Sequence, residues 1–305
     1  MNGAPIGILL LDKPLGLSSN AALQRIRRLA GGIKAGHTGS LDPLATGMLP
    51  ICLGEATSVA GEMLARRKCY RFGVLLGERS ETGDAEGAIV ERCPVPALTA
   101  AAVEAVLVRF HGEQQQTPPM YSALKRDGEP LYRLARRGLT VERLPRPLVI
   151  DSLELLGLEA ERLELRVLCS KGTYVRVLAE DLARALGTCG RLYSLRREYV
   201  EPFAGEHMLS VEELEAAGRP VEDWPLLPAD RALLHLPALH LTPTALGALL
   251  HGQPVFGLAS GAALWRLYDA GEHFLGLGES DAADTLRVRR LFSSARAQAP
   301  RPCAG

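Results

Sequence analysis

One carboxylate stands out among the residues that could do chemistry. Asp42 lies between Leu41 and Pro43, at the centre of residues 36–47, which read G-H-T-G-S-L-D-P-L-A-T-G. Three glycines and a proline predict a shaped loop here, not a helix or a central strand. Apolar neighbours on both sides favour a partly buried carboxylate, whose charge must be paired or used. A carboxylate in such a loop is more often a turn former, so both interpretations stand at this point.

The rest of the chain offers few competing nucleophiles. No second carboxylate lies at a spacing that suits glycosidase chemistry, and no nucleophile elbow, phosphate loop or dinucleotide fingerprint is present. If the protein is an enzyme, Asp42 is therefore the candidate nucleophile or base. An arginine is the natural partner of such a carboxylate, and Arg176, near the start of a predicted helix, is one candidate.

Two ring side chains extend this set. His37 is a candidate base, although a loop histidine beside a threonine is more often hydrogen-bonded structure. Tyr70 follows the run R-R-K-C and is a candidate stacking platform for a nucleobase. For a single strand tyrosine, packing in the core is the commoner role.

Charge is balanced over the whole chain but segregated locally. The 305 residues include 35 basic and 35 acidic ones, and 47% are hydrophobic, enough for a sizeable core. Residues 121–146 carry seven basic side chains against three acidic ones, whereas residues 201–230 carry eight acids and a single arginine. The basic segment is either a solvated helix face or a surface for phosphates.

Six cysteines occur at positions 52, 69, 93, 169, 189 and 303, without a C-x-x-C pair or metal-ligand spacing. Several lie in apolar runs, which favours buried free thiols. No segment approaches eighteen uninterrupted apolar residues, and no signal-like N-terminus is present. These features predict a soluble, cytoplasmic protein that is kept reduced and binds no metal.

Apolar spacing, caps and breakers predict an alternation of strands and helices. Strands are expected at residues 7–12, 48–53, 70–76, 88–92, 148–157, 163–170, 193–200, 274–279 and 286–292. Helices are expected after the caps at residues 18–20, at 56–65, from Thr99 to about 110, at 130–137, from the cap Thr173 to Gly187, and at 211–217. Residues 114–125 are too polar and too rich in proline for regular structure.

These elements predict an α+β chain with a mixed, mostly antiparallel sheet flanked by helices, and a small β-rich C-terminal unit. The boundaries are residues 1–232 for the first domain, with an inserted basic arm at about 112–147, and 236–293 for the second. Glycine-spaced apolar runs after Leu236 suggest a small barrel or sandwich. Residues 294–305 are expected to be a disordered tail.

Several motifs, in order, resemble those of the bacterial TruB family of tRNA pseudouridine synthases. They are L-D-K-P-L-G-L-S-S-N from residue 11, G-H-T-G-S-L-D-P-L-A-T-G-M-L-P-I-C-L-G-E-A-T from residue 36, K-C-Y from residue 68, P-M-Y-S-A-L-K from residue 119, C-S-K-G-T-Y-V-R from residue 169 and L-R-R from residue 195. The resemblance spans about residues 6–200. It favours a catalytic role for Asp42 over that of a turn former. It implies a pseudouridine-synthase fold, with a PUA-like RNA-binding domain at the C-terminus.

The resemblance also implies an activity: isomerisation of uridine 55 in the T loop of tRNA, without cofactor or metal. It assigns Asp42 as the nucleophile, Tyr70 as the residue that stacks on the flipped base and assists proton transfer, and Arg176 as the ion-pair partner of Asp42. It identifies the arm as an RNA-gripping thumb (residues 112–147). The residues implied in substrate binding are His37, Tyr174, Leu195, Lys13, Lys125 and Arg136.

The implied partner is the T stem-loop of tRNA, with no membrane, no obligatory protein partner and a monomeric state. Two alternatives stay open at this point. One is a non-catalytic tRNA-binding or tRNA-folding protein that keeps the fold. The other is a hydrolase that uses Asp42 on a small molecule, which the basic arm disfavours.

Overall fold

Short helices alternate with longer strands along the chain. The structure, a computed structural model, describes residues 5–293. The α-helices are α1 (Ser19–Leu29), α2 (Ala60–Leu64), α3 (Ala100–Leu107), α4 (Leu131–Arg136), α5 (Val175–Ala185), α6 (Val211–Ala217) and α7 (Pro243–Leu250). The strands are β1 (Gly7–Lys13), β2 (Ala35–His37), β3 (Ala45–Leu53), β4 (Lys68–Leu76), β5 (Glu78–Ser80), β6 (Ile89–Arg92), β7 (Gly112–Gln116), β8 (Lys125–Arg126), β9 (Glu129–Pro130), β10 (Arg146–Glu159), β11 (Arg162–Cys169), β12 (Gly190–Val200), β13 (Ala238–His240), β14 (Val255–Phe256), β15 (Ala263–Tyr268), β16 (Phe274–Ser280) and β17 (Thr285–Leu291).

An eight-stranded sheet forms the larger part of the molecule. Its order is β1-β3-β12-β4-β11-β10-β7, with β2 paired to the far end of β3. Only the β3–β12 pair is parallel among these described strands; every other pair is antiparallel. The predicted α+β class with a mixed, mostly antiparallel sheet is therefore confirmed.

Alternation along the strands distributes apolar side chains between separate cores. On β1, Leu9 and Leu11 enter a core with α1 and α6, whereas Ile8 and Leu10 face the other way. This is the period of two that a strand buried on both faces requires. On α5, Val175, Leu178 and Leu182 lie in the core beneath the central strands. Helix α5 is thereby fixed against the sheet.

The C-terminal unit is a second sheet of five strands in the order β13-β15-β16-β17-β14. Helix α7 packs on it through Leu246 and Leu249. Leu277 and Phe292 reach the core that contains Ile8 and Met48, so this sheet is packed against the first one. The β-rich prediction is confirmed, but the strands form one open sheet with a helix, not a barrel or a sandwich.

The predicted loop at residues 36–47 is shorter than expected, because both of its ends belong to strands. Gly36 and His37 lie in β2, and β3 already begins at Ala45. Gly47 is tolerated in β3 for a local reason. Its φ is +98°, and an added Cβ would lie 2.1 Å from the carbonyl oxygen of Arg197 on β12. The close approach of two backbones, which composition does not reveal, overrides the rule against glycine in strands.

Three other local predictions were wrong. The helix expected at residues 56–65 is a 3₁₀ turn, Gly54–Ser58, followed by the short α2. Gly112–Gln116 is polar but pairs with β10 at the sheet edge, because tertiary pairing outweighs weak strand propensity. Thr173 does not cap α5: the N-cap is Tyr174, and the Thr173 hydroxyl donates to the Ser170 carbonyl instead.

The cysteine prediction was half right. Cys52, Cys69 and Cys169 are buried free thiols, but Cys93 and Cys189 form a disulfide with their Cα atoms 5.7 Å apart. Because the two cysteines are 96 residues apart in the sequence, their spacing gave no sign that they would pair. Among the described helices, none is long and apolar enough to cross a membrane. The predicted tail at residues 294–305 lies outside the described residues.

Candidate active site

The loop that carries Asp42 is held from both sides. Ser19, at the start of α1, bonds both backbone groups of Leu41: its hydroxyl accepts from the amide at 2.7 Å and donates to the carbonyl at 3.0 Å. The amide of Gly16 donates to the Pro43 carbonyl at 2.9 Å. The loop backbone is therefore fixed, while the Asp42 side chain keeps 44% of its surface exposed.

Arg176 supplies the opposite charge. Its Nε lies 3.0 Å from Oδ2 of Asp42, and its side chain is only 7% exposed. Nη1 donates to the Thr82 carbonyl at 2.9 Å, and Nη2 donates to the Tyr121 carbonyl at 2.7 Å. One planar guanidinium thus joins the Asp42 loop, the turn after β5 and the thumb. The predicted Asp42–Arg176 pair is present in the structure.

Asp84 is a site residue that the sequence analysis missed. Its carboxylate is buried and lies 3.8 Å from Nε of Arg176. The Thr82 hydroxyl and the Glu86 amide both donate to Oδ1 of Asp84. The sequence around it, E-R-S-E-T-G-D-A-E-G at residues 78–87, offers only a high density of small and acidic residues as a signal. Arg176 is therefore placed by two carboxylates, of which one is buried and one faces solvent.

Two cavities meet at Asp42. The first, of about 440 Å³, is lined by Tyr70, Tyr174, Leu195 and Arg197 as well as by Asp42 and Arg176. Tyr70 on β4 and Leu195 on β12 form its inner wall, and both are almost fully buried. Burial raises the pKa of the Tyr70 hydroxyl, an effect that the charge of Arg197 opposes. Tyr70 is thus a neutral phenol that faces the carboxylate.

His37 lies at the second cavity, of about 600 Å³, which Asp42, Arg136 and Arg176 also line. Burial lowers the pKa of His37, and the nearby charge of Arg197 lowers it further. Its Nδ1 is buried and has no hydrogen-bond partner within residues 5–293. His37 is a neutral ring with an unused polar atom, which suits contact with a ligand better than it suits an ion pair.

Lys13, which is predicted to bind substrate, is fully buried at the end of β1. Its Nζ donates to the carbonyls of Pro14 and Leu17, at 2.8 Å and 2.6 Å. Burial lowers its pKa to about 8, although the charge of Asp42 opposes the shift. Lys13 therefore holds the turn beside the Asp42 loop, and its role in substrate binding stays a prediction.

Tyr174 connects the thumb to α5. Its backbone amide and carbonyl bond the side-chain amide of Gln116 at 2.8 Å and 3.2 Å. Burial raises the pKa of its hydroxyl. Arg136 lines the larger cavity, but Lys125 lies at a separate groove with Leu124 and Arg126. Both side chains are exposed, so the thumb brings one cation to the mouth of the site and one beyond it.

The arrangement suits attack on an electrophilic carbon by a carboxylate. No group of three or more His, Cys, Asp or Glu side chains in the described chain is arranged to hold a metal ion. The guanidinium of Arg176 pairs with Asp42 and orients its carboxylate. A neutral phenol and an apolar wall lie on one side of it, and the cations of the thumb on the other. Such a site fits a planar uncharged ring attached to a polyanion.

Comparison with solved structures gives the fold. The chain matches a Cbf5–Nop10–Gar1 complex with a TM-score of 0.70 at 23% identity, covering 93% of this chain and 84% of that one. It matches the archaeal box H/ACA sRNP Nop10–Cbf5 complex with a TM-score of 0.69 at 21% identity, covering 93% and 85%. The predicted pseudouridine-synthase fold is confirmed.

Comparison of sequences gives the family. Residues 27–175 match the family described as TruB family pseudouridylate synthase (N terminal domain), and residues 237–292 match Pseudouridine synthase II TruB, C-terminal. The tRNA pseudouridine synthase B of Aromatoleum aromaticum is 49% identical over 94% of this chain and 93% of its own length. That of Chromohalobacter salexigens is 49% identical over 96% of both chains. The chain therefore belongs to the TruB family of pseudouridylate synthases.

Proposed function

We propose that this protein isomerises uridine 55 in the T loop of tRNA to pseudouridine. Relatives that share nearly half of its residues over nearly their whole length are named tRNA pseudouridine synthase B. The observation that carries the proposal is the ion pair between Asp42 and the buried Arg176, at 3.0 Å. It lies where the cavity lined by Tyr70 and Leu195 meets solvent.

Asp42 is assigned the step that breaks the glycosidic bond. The N1–C1′ bond of the nucleotide breaks, and its electron pair leaves with the uracil. In one route the carboxylate attacks C1′; in the other it promotes a glycal by accepting the C2′ proton. After the base rotates, a C5–C1′ bond forms. In the first route this displaces the Asp42 carboxylate from C1′, and in the second route the proton returns from Asp42 to C2′. C5 then loses its proton and N1 gains one. Arg176 serves both routes, because its ion pair with Asp42 directs the carboxylate at the ribose.

The target base must leave its stack to reach this carboxylate. Extrusion costs a few kcal/mol, which stacking and phosphate contacts offset. Tyr70 and Leu195 supply flat and apolar contacts for the base. His37 supplies a neutral ring at the neighbouring cavity. Lys125 and Arg136 on the thumb can approach phosphates, because both side chains keep access to solvent.

The experiment is tritium release from 5-labelled uridine in a T-arm stem-loop RNA. We expect tritium release from RNA that has the labelled uridine at position 55. We expect none from a control RNA in which cytidine replaces that uridine and the other uridines carry the label. The reaction should proceed with a chelator present. Tight binding of the stem-loop without any release would contradict the proposal and favour a non-catalytic tRNA-binding protein.

The same proposal extends to organisation and setting. We assign residues 1–232 to the catalytic domain, 112–147 to the RNA-gripping thumb and 236–293 to a PUA-like RNA-binding domain. We place the protein in the cytoplasm as a monomer without an obligatory protein partner. Sedimentation of the purified chain with and without tRNA tests the monomer, since a one-to-one complex is expected.

A further inference from the structure

Arg197 on β12 is among the largest fully buried side chains of the protein, and no step described above uses it. Its Nε donates to the Met48 carbonyl at 2.6 Å, and its Nη2 donates to the Gly39 carbonyl at 3.1 Å. Its Nη1 is buried and has no hydrogen-bond partner among the residues that the structure describes. A buried cation bonded to two neutral carbonyls, with one donor unused, is costly to maintain.

The register of the sheet directs this side chain at the site. Arg197 is directly opposite Tyr70 on β4 and opposite Gly47 on β3. Opposed residues on neighbouring strands project from the same face. Gly47 has no side chain and so leaves room there. Arg197 and Tyr70 consequently line the same cavity as Asp42.

The chemistry of the two groups restricts how they can interact. A guanidinium only donates hydrogen bonds, whereas a phenol has one proton to donate and lone pairs to accept with. The charge of Arg197 acts on the Tyr70 hydroxyl strongly enough to oppose the effect of burial on its pKa. Toward Arg197 the Tyr70 oxygen can only accept. Its own proton must then point away from Arg197.

We propose that Arg197 is a positioning residue: once a nucleotide occupies the cavity, the unused Nη1 donates to the oxygen of Tyr70 and thereby directs the Tyr70 O–H at the nucleotide. Through Nη2 and the Gly39 carbonyl it also ties the Asp42 loop to the same strand. The positions of the Tyr70 hydroxyl and the Asp42 carboxylate relative to each other are thus fixed as they face the substrate. The inference rests on the proposed function, because it concerns how that reaction is positioned.

The test is a double-mutant cycle of Arg197→Met and Tyr70→Phe, measured by single-turnover tritium release. If Arg197 acts through the Tyr70 hydroxyl, Arg197→Met lowers the rate about 10- to 100-fold in the native background and by less than about threefold in the Tyr70→Phe background. The Kd for the stem-loop should change by less than about twofold. Arg197→Lys, which keeps a donor at this place, should recover part of the rate.

The control is Arg196→Met. Arg196 is the neighbour on β12, and it pairs with Asp12 at 2.8 Å with 41% of its side chain exposed. Circular dichroism must show that each variant is folded at the assay temperature. Two results would overturn the inference. In one, the rate loss of the double variant equals the product of the two single losses. In the other, Arg197→Met does not fold and Arg197→Lys does not restore the fold. If the native protein released no tritium, the proposed function itself would fail instead.

Discussion

The buried region around the Asp42 loop and the thumb both carry several cations, but the two regions hold them in opposite ways. In the buried region, called the floor here and containing Lys13, Lys68, Tyr70 and Arg197, the basic side chains donate to backbone carbonyls. Burial lowers the pKa of Lys68 to about 8, as it does for Lys13. On the thumb, Lys125 and Arg136 keep access to solvent.

The difference separates two tasks. A buried cation has exchanged water for fixed partners, so it can hold a loop or a phenol in place but cannot reach for a ligand. A solvated cation is free to approach phosphates, and its contribution is screened by salt. We therefore expect changes on the floor to alter rate and stability, and changes on the thumb to alter RNA affinity.

The largest effect is expected at Asp42, which lies between the two regions. Asp42→Asn keeps the shape of the side chain but removes the charge and the nucleophile. We expect tritium release to fall by at least about 10³-fold. The Kd for the stem-loop, measured by filter binding, should stay within about threefold of the native value. Equal loss of rate and binding would mean that Asp42 belongs to recognition, as the thumb does.

A smaller loss of rate is expected for Arg176→Lys. Lysine retains a positive charge but cannot bond Asp42, the Thr82 carbonyl and the Tyr121 carbonyl together. Misplacement of the carboxylate should lower the single-turnover rate about 10- to 100-fold. The matched control is Arg184→Lys on the same helix, whose side chain is 70% exposed. A similar loss in both variants would contradict the special position of Arg176.

A pair of glycines compares the backbones of the two regions. Gly47 in β3 and Gly128 in the thumb both have positive φ, at +98° and +83°. An added Cβ meets a backbone oxygen at 2.1 Å in the first case and nothing within 4 Å in the second. We expect Gly47→Ala to lower the unfolding free energy by about 3 kcal/mol or more, and Gly128→Ala by about 1 kcal/mol. If urea denaturation gave equal losses of unfolding free energy for the two variants, the floor would be less tightly packed than described.

The smallest effect on catalysis is expected in the thumb. Replacing Lys125 and Arg136 together by alanine should raise the Kd for the stem-loop about 3- to 10-fold. The slope of log Kd against log salt should fall by roughly 1 to 2, because each substitution leaves about one phosphate without its cation. The rate at saturating RNA should be unchanged. Arg92→Ala, an exposed arginine on β6 paired with Glu78, is the control that should leave the slope alone.

Sequence reasoning found the parts of the site that depend on local chemistry. Asp42 and Arg176 were identified because a charge among apolar neighbours needs a partner. Most strands and helices followed from periodicity and caps, as at Ser18 and Thr99, whose hydroxyls cap α1 and α3. Motif resemblance, not composition, decided that Asp42 is more than a turn former.

What sequence reasoning missed depends on long-range pairing. Asp84 joins the site only because the turn after β5 folds back against α5. Gly112–Gln116 becomes a strand only because β10 offers an edge. Arg197 belongs to the L-R-R motif, but only the strand register shows that it lies opposite Tyr70. None of these contacts leaves a pattern in the residues next to it.

The way Arg176 is held has an evolutionary consequence. Two of its contacts, to Thr82 and Tyr121, are made to main-chain carbonyls, which every amino acid supplies. Substitutions at those two positions leave the acceptors in place as long as the backbone keeps its path. The thumb is thereby free to drift in sequence while its attachment to Arg176 is inherited unchanged.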